Sequence, residues 1–98
     1  VDLRKNSSTF LQWVGINLSP EGHNSLLIPK GVAHGFQTLS DDCELLYFHS
    51  ENYSPDHEFG VSYKEPKVDI KWPLPLSQIS DRDLSFKYLD SNFLGFDL

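Results

Sequence analysis

VGINLSPEG, residues 14–22, places Val14, Ile16 and Leu18 at alternate positions with Gly15 and Asn17 between them, and closes on Ser19, Pro20, Glu21 and Gly22. A period of two is the pattern of a half-buried strand, and Pro and Gly supply the turn that stops it. Residues 25–28 read as a second short strand, ended by Pro29, Lys30 and Gly31, and residues 33–39 resume an extended pattern around Gly35. After a turn at Ser40, Asp41 and Asp42, residues 43–50 set Cys43, Leu45, Tyr47 and His49 on one face and Glu44, Leu46 and Phe48 on the other. Both faces are largely apolar, so this strand is expected at the centre of a sheet, with Val14, Ile16, Leu18, Leu45 and Tyr47 pointing inward. Short strands at regular spacing, with no helix-period segment between them, predict an all-β fold, an antiparallel sandwich or jelly roll.

Residues 51–78 are richer in Pro and charge and read as a long excursion across the sheet, anchored by Tyr63, Val68, Ile70 and Trp72. Ser80, Asp81, Arg82 and Asp83 have the pattern of an N-cap followed by an acidic first turn, which predicts a short helix over roughly 81–89. No internal repeat or low-complexity segment is present.

At 98 residues the chain has room for one domain, spanning 1–98, and its 39% hydrophobic and 22% charged composition is that of a globular protein. A net charge of −6 supplies no basic footprint for a nucleic-acid backbone, so nucleic acid is not expected as a partner. One diphosphate could still be held by a local cation among the eight Lys and Arg. Cys43 is the single cysteine, which leaves no intrachain disulfide framework and no CxxC metal pattern, and a reducing, cytoplasmic setting fits. The apolar runs are too short for a membrane span, and the start does not resemble a signal peptide. The chain begins at Val1 and contains no Met, and is read as a piece of something longer.

Four segments in order, VDLRKNSSTFLQWVGINLS (1–19), IPKGVAHGF (28–36), ELLYFHSENYSPDHEFGVSY (44–63) and IKWPLPLSQISDRD (70–83), resemble the dTDP-4-dehydrorhamnose 3,5-epimerase family. The specificity lies in the combination of AHGF, Tyr47 and Tyr53, and WP with a following SxxD. The resemblance implies a cupin-like jelly roll, of which this chain is the C-terminal half, a partial roll with a short C-terminal helix. It also implies a role in nucleotide-sugar metabolism, with a substrate of the dTDP-4-keto-6-deoxyhexose class.

Inverting carbons 3 and 5 of a 4-keto sugar means removing a proton alpha to the ketone and returning one to the opposite face, so a base and an acid must flank the ring. The resemblance assigns the acid to Tyr47, whose phenol is protonated at neutral pH. It makes Asp83 the aspartate that orients a base histidine, and puts that histidine in the half that precedes the VDLR segment in family members, outside these residues. Tyr53 corresponds to a tyrosine stacking on thymine, His34 to a histidine near the diphosphate, and Glu58 and Arg82 to positions lining the nucleotide-sugar pocket. Without the resemblance each has a plainer role: Tyr47 in the core, Tyr53 as a loop anchor, His34 as a structural hydrogen-bonding residue, and Glu58 and Arg82 as solvated charges. Asp83 would then complete a capping box with Ser80.

His49 shares a strand face with Tyr47 about 7 Å along the backbone, but a group on the acid's own wall is poorly placed to serve the opposite face of the sugar. His23 and His57 fall in turns and are expected to be solvated. No HxH pair with a downstream carboxylate is present, so no metal and no cofactor are expected. The expected function is therefore epimerase-like, incomplete as a catalyst without the base. The alternative is a non-enzymatic nucleotide-sugar-binding or assembly module. In either case a homo-oligomer, a homodimer being the simplest, or a complementing chain is expected to cover the open edges.

Overall fold

The computed structural model describes residues 1–98, and the all-β expectation does not survive it. The regular elements are one 3₁₀ turn, Pro55–His57, and one helix, α1, Asp81–Ser85. Ladder pairing is limited to two isolated bridges, Asp2 with Val32 (antiparallel) and Arg4 with Phe96 (parallel). There is no sheet, and so no antiparallel jelly roll, cupin-like or partial.

The reason is local against non-local. Alternation along residues 44–48 is still visible, since Leu45 and Tyr47 are 45% and 44% exposed while Leu46 and Phe48 are 81% and 91% exposed. Alternation can extend a segment, but a strand satisfies its backbone only against a neighbour. Residues 13–18 and 34–53 make no backbone–backbone hydrogen bond at all. The side chains expected to point inward are consequently exposed: Val14, Ile16 and Leu18 as well as Leu45 and Tyr47.

What packs instead is a knot of chain crossings around residues 1–12, 31–33 and 93–96. Leu3, 3% exposed, donates its N–H to the Gly31 carbonyl and accepts from the Phe96 N–H, at 3.0 and 2.7 Å. Asp2 and Leu11 exchange with the same strip, Asp2 N–H to Gln12 and Leu11 N–H to Asp2. Gly95 is required there: its φ is +88°, and a Cβ would come within 2.7 Å of the Leu3 carbonyl oxygen. Over this crossing Phe59, Phe93 and Phe96 form a ring cluster, Phe59 stacked on Phe93 at 5.8 Å and edge-on to Phe96 at 5.1 Å, with Phe10 6.0 Å from Phe93.

The loop anchors behave as anchors. Val68 is buried, Tyr63, Ile70 and Trp72 are half-buried, and the Trp72 indole N–H donates to the Tyr63 carbonyl at 2.8 Å. The Gln37 side-chain amide ties the loop back by donating to the Leu74 carbonyl and accepting from its N–H.

The helix is shorter than the 81–89 expected from its cap. Ser80 does cap it, its Oγ accepting from the Asp83 N–H at 3.1 Å. Beyond Ser85 the chain turns extended at Phe86, whose ring packs against Gly60, and the buried Glu65 carboxylate takes the Leu89 N–H. A charge-assisted bond to a carboxylate outcompetes one more intrahelical bond at a frayed end.

Candidate functional site

Two groups of candidate residues emerge from this framework. In the first, residues 34, 36, 47 and 49 bring four rings together. The Tyr47 centroid lies 6.2 Å from His34, 6.3 Å from Phe36 and 5.9 Å from His49, the last stacked with 25° between planes. The i, i+2 spacing within each extended segment puts each pair on one side, which is how residues so far apart in sequence share one surface. Partial burial among these rings pushes the Tyr47 phenol above its ordinary value. The phenol is thus protonated throughout the neutral range, and no group within the chain hydrogen-bonds to it.

The second group centres on α1. Arg82, in its first turn, forms an ion pair with Glu58, the residue that closes the 3₁₀ turn, and its guanidinium lies 5.8 Å from the Phe86 ring. Glu58 also lines a shallow, open depression walled by Phe59, Phe86, Lys87, Tyr88 and Phe93. Asp83 lies one residue from Arg82, and its exposed carboxylate makes no hydrogen bond. Its backbone N–H is what Ser80 caps, so the capping interaction is present without using the side chain.

Tyr53 stands apart on the exposed run before the 3₁₀ turn, 80% exposed, its ring face open. No hydrogen bond or ring contact joins Tyr47 to Asp83, Tyr53, Glu58 or Arg82. Of the six candidates, the structure brings together His34 with Tyr47 and Glu58 with Arg82, and leaves Tyr53 and Asp83 single. Phe36 and the stacked His49 complete the Tyr47 surface. Phe36 was legible only as part of AHGF, and the signal for His49 was its i, i+2 relation to Tyr47.

Other charges are already committed. Asp2, 6% exposed, accepts from Arg4 Nε at 2.9 Å, Arg4 Nη2 at 3.0 Å, Ser7 Oγ at 2.6 Å and Thr9 Oγ1 at 2.5 Å. The Arg4 guanidinium beside it, together with the two hydroxyls, holds its carboxyl well below the usual carboxylate range. Lys71 pairs with Asp69 at 2.8 Å. No set of three or more His, Cys, Asp or Glu side chains converges as metal ligands, and no helix is long and apolar enough to cross a membrane.

The sequence model of the family described as dTDP-4-dehydrorhamnose 3,5-epimerase matches residues 1–91. The chain is 42% identical over 95 residues to the dTDP-4-dehydrorhamnose 3,5-epimerase of Methanothermobacter thermautotrophicus, covering 94% of this chain and 51% of that protein. It is 44% identical over 95 residues to that of Salmonella typhimurium, covering 96% and 52%. The Shigella flexneri protein of the same name is 42% identical over 94 residues, covering 95% and 52%. The chain thus spans about half the length of the curated relatives it matches. No solved structure shows significant similarity to it.

Proposed function

Because the chain belongs to the dTDP-4-dehydrorhamnose 3,5-epimerase family, we propose that it serves dTDP-sugar biosynthesis as the acid-bearing part of a two-part epimerisation site. The substrate is a nucleotide sugar of the dTDP-4-keto-6-deoxyhexose class. The observation that carries this reading is the Tyr47 phenol, half-exposed among His34, Phe36 and His49, protonated at neutral pH and without an internal hydrogen-bond partner.

The chemistry divides between two walls. A base removes the proton at carbon 3, alpha to the 4-ketone, leaving an enolate. The Tyr47 O–H then donates its proton to the opposite face of that carbon; once water has taken the proton from the base and returned one to the phenolate, the same pair of steps inverts carbon 5. His34 and His49 share the Tyr47 surface, so neither faces the far side of a sugar lying on it; the base therefore comes from outside these residues, and Asp83 orients it. Tyr53 stacks on the thymine, while Arg82, released from Glu58, and His34 meet the diphosphate. The base then lies in a segment joined to these residues, in a further copy or in a complementing chain.

Calorimetric titration of the purified chain with dTDP tests the nucleotide half of this reading. Weak, saturable binding is the expected result, and no heat at millimolar dTDP would remove it.

A further inference from the structure

Ser54 holds His57 twice. The Ser54 carbonyl accepts the His57 N–H at 3.0 Å, closing the 3₁₀ turn, and the Ser54 Oγ lies 2.7 Å from His57 Nδ1. A serine at an N-cap ordinarily turns its hydroxyl to the backbone of the first turn. Ser54 makes no such bond, and its hydroxyl is committed to the imidazole instead. Pro55, which opens the turn, fixes one of the backbone dihedrals between the two residues. A hydroxyl both donates and accepts, so it holds Nδ1 whether the ring is neutral or protonated. The imidazole is therefore oriented in either charge state, and its Nε2 has no hydrogen-bond partner within the chain.

The turn that carries this imidazole lies between two residues of the nucleotide reading. Tyr53, with its open ring, precedes Ser54, and Glu58, paired with Arg82, follows His57. The charges around it are mostly negative. Asp56 and Glu58 stand on the turn, and Asp81 and Asp83 flank Arg82 in α1; the cations are Arg82 and Lys87, which lines the same depression as Glu58. A diphosphate that takes Arg82 frees the Glu58 carboxylate next to His57 and brings negative charge of its own. Both changes favour the imidazolium. We propose that His57 is a further nucleotide-sugar-binding residue, which takes up a proton from solvent as the diphosphate binds and donates from Nε2 to a phosphate oxygen. The inference rests on the nucleotide reading of the site above and adds to it a residue and a dependence on pH.

The test titrates the chain with dTDP-glucose by calorimetry between about pH 8 and pH 6, where imidazole changes charge and the diphosphate diester does not. Affinity is expected to rise about three- to fivefold as the pH falls, the effect of one exposed charge. His57→Gln is expected to keep the weaker, high-pH affinity throughout. Ser54→Ala, which frees the ring without removing it, is expected to keep the slope at lower affinity. Both side chains are exposed, so neither substitution opens a packed core. An affinity that does not change with pH overturns the inference and leaves nucleotide binding standing. So does a slope that His57→Gln keeps and His34→Gln loses, which assigns the proton to His34. No binding of dTDP-glucose at millimolar concentration at any pH in this range overturns the inference together with the nucleotide reading beneath it.

Discussion

Glu58 and Arg82, 24 residues apart in sequence, hold each other in an ion pair, so the cation proposed to meet a diphosphate is occupied when no nucleotide is bound. Both side chains remain substantially in contact with water, and an exposed pair of this kind is worth about 0–1 kcal/mol. Substrate phosphate, with more charge and more acceptors, therefore displaces Glu58 at small cost. Glu58→Gln is expected to raise dTDP affinity, by no more than about fivefold. Arg82→Gln is expected to lower it about tenfold or more, the loss of one charge-assisted bond. Calorimetric titration of both variants checks this, and equal affinity in all three proteins would remove Arg82 from the site.

Tyr53 presents an open ring at 80% exposure, unsupported by packing. Stacking on a base is worth about 1–3 kcal/mol in single-strand recognition, so Tyr53→Ala is expected to weaken dTDP binding by roughly tenfold or more while Tyr53→Phe preserves it. The same pair of variants leaves the far-ultraviolet spectrum unchanged, because nothing in the fold leans on this side chain.

The Asp2 network makes the chain acid-sensitive in a defined window. Its carboxyl is held below the ordinary range by the Arg4 guanidinium first, with Ser7 and Thr9 assisting. A depressed folded-state value stabilises fully above the unfolded aspartate value of about 3.9 and is lost as pH falls below it toward the folded value. Asp2→Asn is expected to destabilise the 1–12 crossing by about 1.5–3 kcal/mol at neutral pH. Amide exchange at Leu3 and Leu11 across pH 3 to 7 measures it, and the gap between the two proteins is expected to narrow only below about pH 4.

How much of this was legible in the sequence varied with the range of the interaction concerned. Ser80 with an acid three residues on announced a cap, and the Ser80 hydroxyl does hold the Asp83 N–H. Val68 and Trp72 were identifiable as anchors because large apolar residues in a polar run have few reasons to be there. The length of α1 was not legible, since what ends it is the Glu65 carboxylate arriving from 24 residues away to take the Leu89 N–H. The sheet was misread for a related reason: the alternation at residues 44–48 is real, but pairing depends on a neighbour that periodicity does not specify. Among site residues, neither the His34–Tyr47 ring contact nor the Glu58–Arg82 pair has a local sequence signature, because each joins segments whose proximity no short-range pattern specifies.

Tyr47 has its phenol raised by partial burial. Its ionisation in an ultraviolet absorbance titration is therefore expected above the ordinary tyrosine value, and Tyr47→Phe should remove that phase. Because the folded state favours the protonated phenol, its contribution to stability is intact below the ordinary value of about 10 and declines as pH rises through and beyond it. A titration in which Tyr47→Phe removes only absorbance that rises at the ordinary value would contradict the raised phenol.

The proposed function places the acid of the epimerisation within these 98 residues and the base outside them. Incubating the purified chain with the dTDP-linked 4-keto-6-deoxy sugar in deuterated water, and reading carbons 3 and 5 by proton magnetic resonance, tests it most directly, because each removal and return of a proton there leaves deuterium behind. The chain alone is predicted to leave both positions protonated at the uncatalysed rate. With the complementary half added, deuterium is predicted to enter with inversion, and Tyr47→Phe to slow the inversion by about 10²–10⁴-fold. Rapid incorporation by the 98-residue chain alone would contradict the claim and place a base, His49 first among the candidates, on the Tyr47 surface itself.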